Sequence, residues 1–158
     1  MVSGRAADGR SGVLADGEAT SVFRNRRDDG EFVSTDVWSV DSLSLATDDA
    51  AATTDLRDLF TLAPGSTRFR ILSMPPTAEP SGWHRTATID YEYVVSGEVD
   101  LLMEDGTSAH LRAGDVNVQL GGLHQWWNRS TEPCVLVIVM VGVEGDEPPG
   151  LHEPREAP

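Results

Sequence analysis

Apolar residues in this chain recur at every second position far more often than at every third or fourth. Thr67–Met74 (TRFRILSM) alternates cleanly after the Pro64-Gly65 turn and predicts a strand. Phe32–Val40, with Trp38, alternates in part and predicts another, and Val13–Leu14 and Thr20–Phe23 read as short strands around the Asp16-Gly17 turn. From Trp83 onward the strands come in quick succession: Trp83–Thr88, Asp90–Val95, Val99–Met103, Ala109–Leu111, Val116–Leu120, His124–Asn128 and Val135–Val141. Breaks at Ser96-Gly97, Glu104-Asp105-Gly106 and Ala113-Gly114-Asp115 separate them. No segment after Phe60 has a clean helical period. Short strands with closely spaced turns predict an all-β sandwich or small barrel. Pro75–Gly82, with three prolines, reads as a rigid loop leading to His84.

The domain predicted this way spans residues 13–142. Residues 1–12 are small, polar and Gly-rich, and residues 143–158 are acidic, Pro-rich and poor in apolar side chains, so both read as flexible tails. The acidic, Ala/Ser/Thr-rich stretch Asp41–Thr54 fits a loop or a marginal helix, and a lid over a barrel mouth is open to it.

Composition narrows the partners. The 158 residues carry a formal net charge of −14, which argues against nucleic acid and anionic membrane, since both require positive surface. No apolar run approaches the roughly twenty residues of a membrane span, and the first residues do not read as a secretory signal. A lone cysteine, Cys134, excludes an intramolecular disulfide, and its apolar neighbours predict a buried, inert thiol. A cytoplasmic protein with a small-molecule partner is the expectation.

The candidate chemistry follows from strand parity. Residues two apart share a face, so His84, Thr86 and Thr88 project together, as do Asp90, Glu92 and Val94, and His124, Trp126 and Asn128. With these faces inward, the interior holds two imidazoles and two carboxylates, a composition suited to Fe, Mn, Ni, Cu or Zn. The opposite parity is equally regular: Tyr91, Tyr93 and Val95 would be buried and both acids would face water. Periodicity leaves that choice open. His110 matches neither arrangement and reads as structural.

At these residues the chain resembles the cupin superfamily, and in particular small single-domain bacterial cupins of the conserved-barrel type. In the first motif of that family, His84 takes the first histidine, Thr86 falls at the second, Asp90 falls at the glutamate, and Gly97 closes the motif. In the second motif Gly114, Gly121, His124 and Asn128 match, with Gln119 at the proline and one residue fewer after Gly114. The resemblance covers about residues 67–142. It implies a cupin-type jelly-roll β-barrel of six to eight strands, dimerised through its N-terminal strands. It also implies a divalent transition metal on His84, His124 and Asp90, with Glu92 as a substitute ligand or general acid/base. By strand parity Thr86, Gln119, Trp126 and Asn128 are candidates to contact substrate, with closing a turn the first reading for Asn128 and a plain core role the alternative for Trp126. Oxygenation, isomerisation or cyclisation, and lyase chemistry on a small carbonyl-bearing or conjugated metabolite are the implied reactions. A metal-free binding or acid/base protein using the same histidines and carboxylates is the alternative, which Thr86 in place of an imidazole favours.

Overall fold

In the computed structural model, residues 1–5, 8–28, 30–41, 59–145 and 148–153 are described. Their regular structure is entirely β. In chain order the strands are β1 (Val2–Arg5), β2 (Ser11–Ala15), β3 (Ser21–Arg27), β4 (Gly30–Val40), β5 (Thr67–Met74), β6 (His84–Arg85) and β7 (Thr88–Ser96). They continue as β8 (Glu98–Met103), β9 (Ser108–Arg112), β10 (Val116–Gln119), β11 (His124–Trp127), β12 (Cys134–Gly142) and β13 (Gly150–Leu151). A six-stranded sheet runs β10-β7-β12-β5-β4-β3, a five-stranded sheet runs β13-β6-β11-β8-β9, and β1 and β2 form a separate hairpin. All ladders are antiparallel.

The two large sheets close over one core. β12, the most continuous apolar run, sits between β5 and β7 and buries Leu136, Ile138 and Met140 on one face. Leu72, Met74 and Val94 join them from the same sheet, and Val99, Leu101 and Trp126 come from the opposing one. This double-sheet, all-β arrangement is that of a cupin-type jelly roll, as the strand pattern predicts. Two glycines set its corners. Gly97 has φ 74°, and a Cβ there would stand 2.5 Å from the Pro133 carbonyl oxygen. Gly121 has φ 69°, with the Thr86 carbonyl oxygen 2.9 Å from where its Cβ would be. Only a residue without a side chain fits such close approach at positive φ.

Three expectations change. The strand predicted over Trp83–Thr88 divides at Thr86–Ala87, because β6 pairs in the five-stranded sheet while β7 pairs in the six-stranded one. The N-terminal residues form β1, paired with β2, although β1 has Val2 as its single apolar side chain. The C-terminal segment is not featureless either: Gly150 and Leu151 pair with Arg85 and His84, and the His152 amide donates to the Trp83 carbonyl at 2.9 Å. Backbone ladders of this kind need a neighbouring edge, not an apolar pattern, so composition does not announce them. Beyond Asp41, the acidic segment named above lies outside the described residues. Among the described residues no helix is long and apolar enough to cross a membrane.

Candidate functional site

β6 and β11 set His84 and His124 directly opposite one another in the ladder. Their ring centroids are 4.3 Å apart, with planes at 54°. Each ring is tied by Nδ1 to the backbone two residues earlier: His84 to the Gly82 carbonyl at 3.0 Å, His124 to the Gly122 carbonyl at 2.8 Å. In His84 a proton on Nδ1 donates to that carbonyl and leaves Nε2 with its lone pair. The Gln119 amide nitrogen, itself a donor, stands 2.8 Å from His124 Nδ1 and 3.2 Å from the same Gly122 carbonyl. His124 Nδ1 thus accepts from Gln119 in one tautomer and donates to Gly122 in the other, and either way the ring is held from the side. Burial holds the His84 pKa below the usual histidine range. Burial and the neighbouring His84 bring that of His124 down to about 4. Both rings are therefore neutral at neutral pH.

The parity left open by the sequence is decided on β7. Asp90 and Glu92 are 5 % exposed, whereas Tyr91 and Tyr93 are 52 % and 47 % exposed. Both acids thus face the interior, where they and the two histidines line one cavity of about 380 Å³. Burial raises the Glu92 pKa to about 8, against the opposing effect of a 2.7 Å hydrogen bond donated by Asn117, with Asp90 adding to the rise. Burial also raises Asp90, opposed by the hydroxyls of Thr88 and Thr86 and by the Arg70 charge. Thr88 donates to Thr86 at 2.7 Å, and the Thr86 hydroxyl stands 3.5 Å from Asp90 Oδ2. Asp90 Oδ1 is buried with no hydrogen-bond partner. Phe23, Phe32, Phe60 and Trp126 contribute aromatic wall. Trp126 meets His124 edge-on at 5.8 Å, and Phe60 lies 5.3 Å from the His84 ring.

The residues expected at the site are thus brought to one place, but not all in the expected roles. Gln119 is spent on His124 and its carbonyl rather than open to a ligand. Asn128 lines the cavity, yet its amide donates to the Met74 and Glu132 carbonyls and its oxygen accepts from Ser130, so its hydrogen bonds close a loop. Thr86 contacts Asp90, and no imidazole is available there. His110 lies apart, bonded to Asp100 at 2.7 Å. Cys134 is fully buried, with its thiol pushed up to about 11 by desolvation.

Three contributors escaped the sequence reading. Arg70 lines the cavity and is clamped by Asp36 (2.6 and 3.2 Å) while donating to the Leu59 carbonyl at 2.9 Å. Asn117 orients Glu92, and Phe60 covers His84. The inward parity of Arg70 with Leu72 and Met74 is visible in TRFRILSM, but its partner Asp36 emerges only from the β4–β5 register.

The donor set fits a metal in its chemistry: two neutral imidazoles, each held at Nδ1, and one buried carboxylate oxygen without a partner. In the present side-chain positions, no group of three or more His, Cys, Asp or Glu among the described residues is close enough to hold one.

No family model matches the chain. It is 48 % identical over 67 residues to Phomopsin biosynthesis cluster protein C′ of Diaporthe leptostromiformis, covering 42 % of this chain and 35 % of that protein. It is 44 % identical over 48 residues to a cupin-domain-containing oxidoreductase of Hypocrea virens, covering 30 % of this chain and 25 % of the other. The matched stretches thus span about a third or less of these relatives' lengths. Among solved structures, a conserved protein with a double-stranded β-helix domain from Klebsiella pneumoniae aligns with a TM-score of 0.47 at 25 % identity. That alignment covers 55 % of this chain and 75 % of the other. The bacterial subgroup expected from the sequence is not supported, since these curated relatives are fungal. Motif residues, jelly-roll architecture and the local identity to a cupin-domain protein together support the cupin superfamily.

Proposed function

We propose that this chain is a small-molecule enzyme of the cupin type, acting on a small carbonyl-bearing or conjugated metabolite in the cavity beneath His84 and His124. The observation that carries this reading is the joint enclosure of two neutral imidazoles and two acids with raised pKa values in one aromatic-walled cavity. A structural core has no use for such groups, because burying them costs free energy unless they are partnered. The curated relatives' names, a biosynthesis cluster protein and an oxidoreductase, favour a redox step in specialised metabolism.

Nε2 of His84, Nε2 of His124 and Oδ1 of Asp90 would hold a divalent transition metal (Fe, Mn, Ni, Cu or Zn). Such an ion supplies Lewis acidity or oxygen activation when bound. The remaining work falls to the chain. Trp126 and Phe60 pack a flat substrate and exclude water. Glu92, held in place by Asn117, keeps a proton at neutral pH and can deliver it to a substrate oxygen that gains charge. Gln119 positions His124. A second reading, a metal-free acid/base or binding protein, is favoured by Thr86 and by the link between Asp90 and its threonines. There Glu92 would be the acid and a neutral imidazole the base.

Elemental analysis by mass spectrometry, on protein purified without chelator and again after anaerobic incubation with Fe(II), separates the two. About one metal per chain, lost in His84→Ala and His124→Ala, is expected for a metal bound through both rings. Wild-type protein without metal under both conditions overturns the metal reading and leaves the acid/base one.

A further inference from the structure

The cavity beneath His84 and His124 is unlike at its two ends. Its acid–base groups gather on β6, β7 and β11, as His84, Asp90, Glu92 and His124. From there a floor runs across the six-stranded sheet. Glu92 stands opposite Ile138, and Ile138 opposite Arg70. Leu72, two residues on from Arg70, stands opposite Ser34, and Ser34 opposite Phe23. Four strand spacings of ~4.8 Å separate β7 from β3, about 19 Å measured along the sheet. The far end is apolar. Phe23 and Phe32 meet edge-on with ring centroids 6.4 Å apart, both half-buried, and Leu72, Met74 and Pro75 line the cavity with them. The turn between β3 and β4 is drawn tightly against the loop after β5, since a Cβ on Gly30 would collide with that of Pro75. Arg27 and Glu79, both exposed, line the same end and mark where it opens to solvent.

We infer that the substrate is amphipathic, with an oxygen-bearing head under the two histidines and an apolar tail received between Phe23 and Phe32. This rests on the reading of the cavity as the substrate site and adds the part of the substrate that the chemistry does not touch. Size supports it. A cavity of about 380 Å³, at ~30 Å³ for each water-sized group, has room for roughly a dozen non-hydrogen atoms, more than a small head alone would fill. Burial fixes the orientation. A tail at the far end takes two phenyl rings out of water, which is favourable. The reverse orientation would lay the tail on Glu92 and on Asp90 Oδ1, which already lacks a hydrogen-bond partner, and would leave them no polar group to meet. Arg70, between the two ends, does not oppose an uncharged chain crossing it. Asp36 and the Leu59 carbonyl already take up its guanidinium, so it calls for no anion.

Calorimetric titration of the full chain with straight-chain methyl ketones, from methyl propyl ketone to methyl undecyl ketone, tests it. The series keeps one carbonyl head and lengthens only the tail. In wild-type protein the affinity is expected to rise about threefold to fourfold per methylene. It should level off beyond roughly a dozen non-hydrogen atoms, where the tail emerges past Arg27 and Glu79. Phe23→Ala should lower the ratio of methyl nonyl to methyl propyl ketone affinity at least about tenfold, and Phe23→Leu should restore most of that ratio. An affinity that does not grow along the wild-type series overturns the inference, as does failure of every ketone to bind. So does a rise that Phe23→Ala leaves unaltered, which would put the tail elsewhere on the protein. None of these readings uses turnover or metal content, by which the assignment of the cavity as catalytic fails separately.

Discussion

The two faces of the six-stranded sheet are built from alternate residues of the same strands, yet they reverse the usual division of labour. On β7, Asp90, Glu92 and Val94 point inward while Tyr91, Tyr93 and Val95 point out. On β5, Arg68, Arg70, Leu72 and Met74 are inward while Phe69 and Ile71 are outward. Charged and acid–base side chains are thus concentrated inside, and the outside of four strands carries no Asp, Glu, Lys, Arg or His. Inside, most of them have a local answer, although Asp90 Oδ1 has no hydrogen-bond partner. Arg70 is neutralised by Asp36, Glu92 takes up a proton and a hydrogen bond from Asn117, and the histidines stay neutral. Outside, Tyr91, Tyr93 and Val139 leave an uncharged face that needs no such answer. Which face of a strand is apolar therefore does not say which face is buried when the interior is a polar-lined cavity.

Adjacent residues on β12 expose this contrast most sharply. Ile138→Asn puts an amide among the inward residues, with an expected loss of about 3–5 kcal/mol in urea denaturation. Val139→Asn, one residue on and 39 % exposed, should leave stability within about 0.5 kcal/mol. Equal losses at both positions would remove the distinction between the faces. Next in size is the buried ion pair. Asp36→Asn should cost about 3 kcal/mol or more, because it takes from both Arg70 and Arg68 the carboxylate they share at 2.6 and 3.4 Å, whereas Arg70→Met leaves Asp36 with Arg68 and should cost less in urea denaturation. Equal losses at the two positions would mean that Arg68 does not depend on Asp36.

A smaller effect is the pH response. The folded-state pKa of Glu92, about 8, lies above its ordinary value of 4.5, so the folded protein holds this proton more tightly than the unfolded chain. The stability this gives is present in full below about pH 4.5 and is lost as pH rises through about 8. His124 has the opposite sign. Its depressed pKa gives stability that is present above the ordinary 6.5 and lost as pH falls through about 4. Glu92→Gln should flatten the decline between pH 5 and 8 by on the order of a few kcal/mol in chemical denaturation, with the acid side unchanged. An unaltered alkaline slope would show that Glu92 ionises freely in the fold.

Much of this protein was settled by local sequence. Alternation and turn residues locate β2 to β5 and β7 to β12 closely, since strand formation needs only a period of two and a break in the right place. The resemblance carried by His84, Asp90, Gly97, Gly121 and His124 pointed to a jelly roll, and the structure places both histidines on the wall of its cavity. Some matters were decided by tertiary structure alone. Parity grouped Asp90 with Glu92 but could not say that they, rather than Tyr91 and Tyr93, are inside, because that depends on what the opposing sheet supplies. The Arg70–Asp36 clamp, the commitment of Asn128 to its loop and of Gln119 to His124, and the pairing of β13 with β6 all depend on register between distant segments. Such pairings are made by backbone geometry and chain closure, which leave no periodic mark on either partner alone.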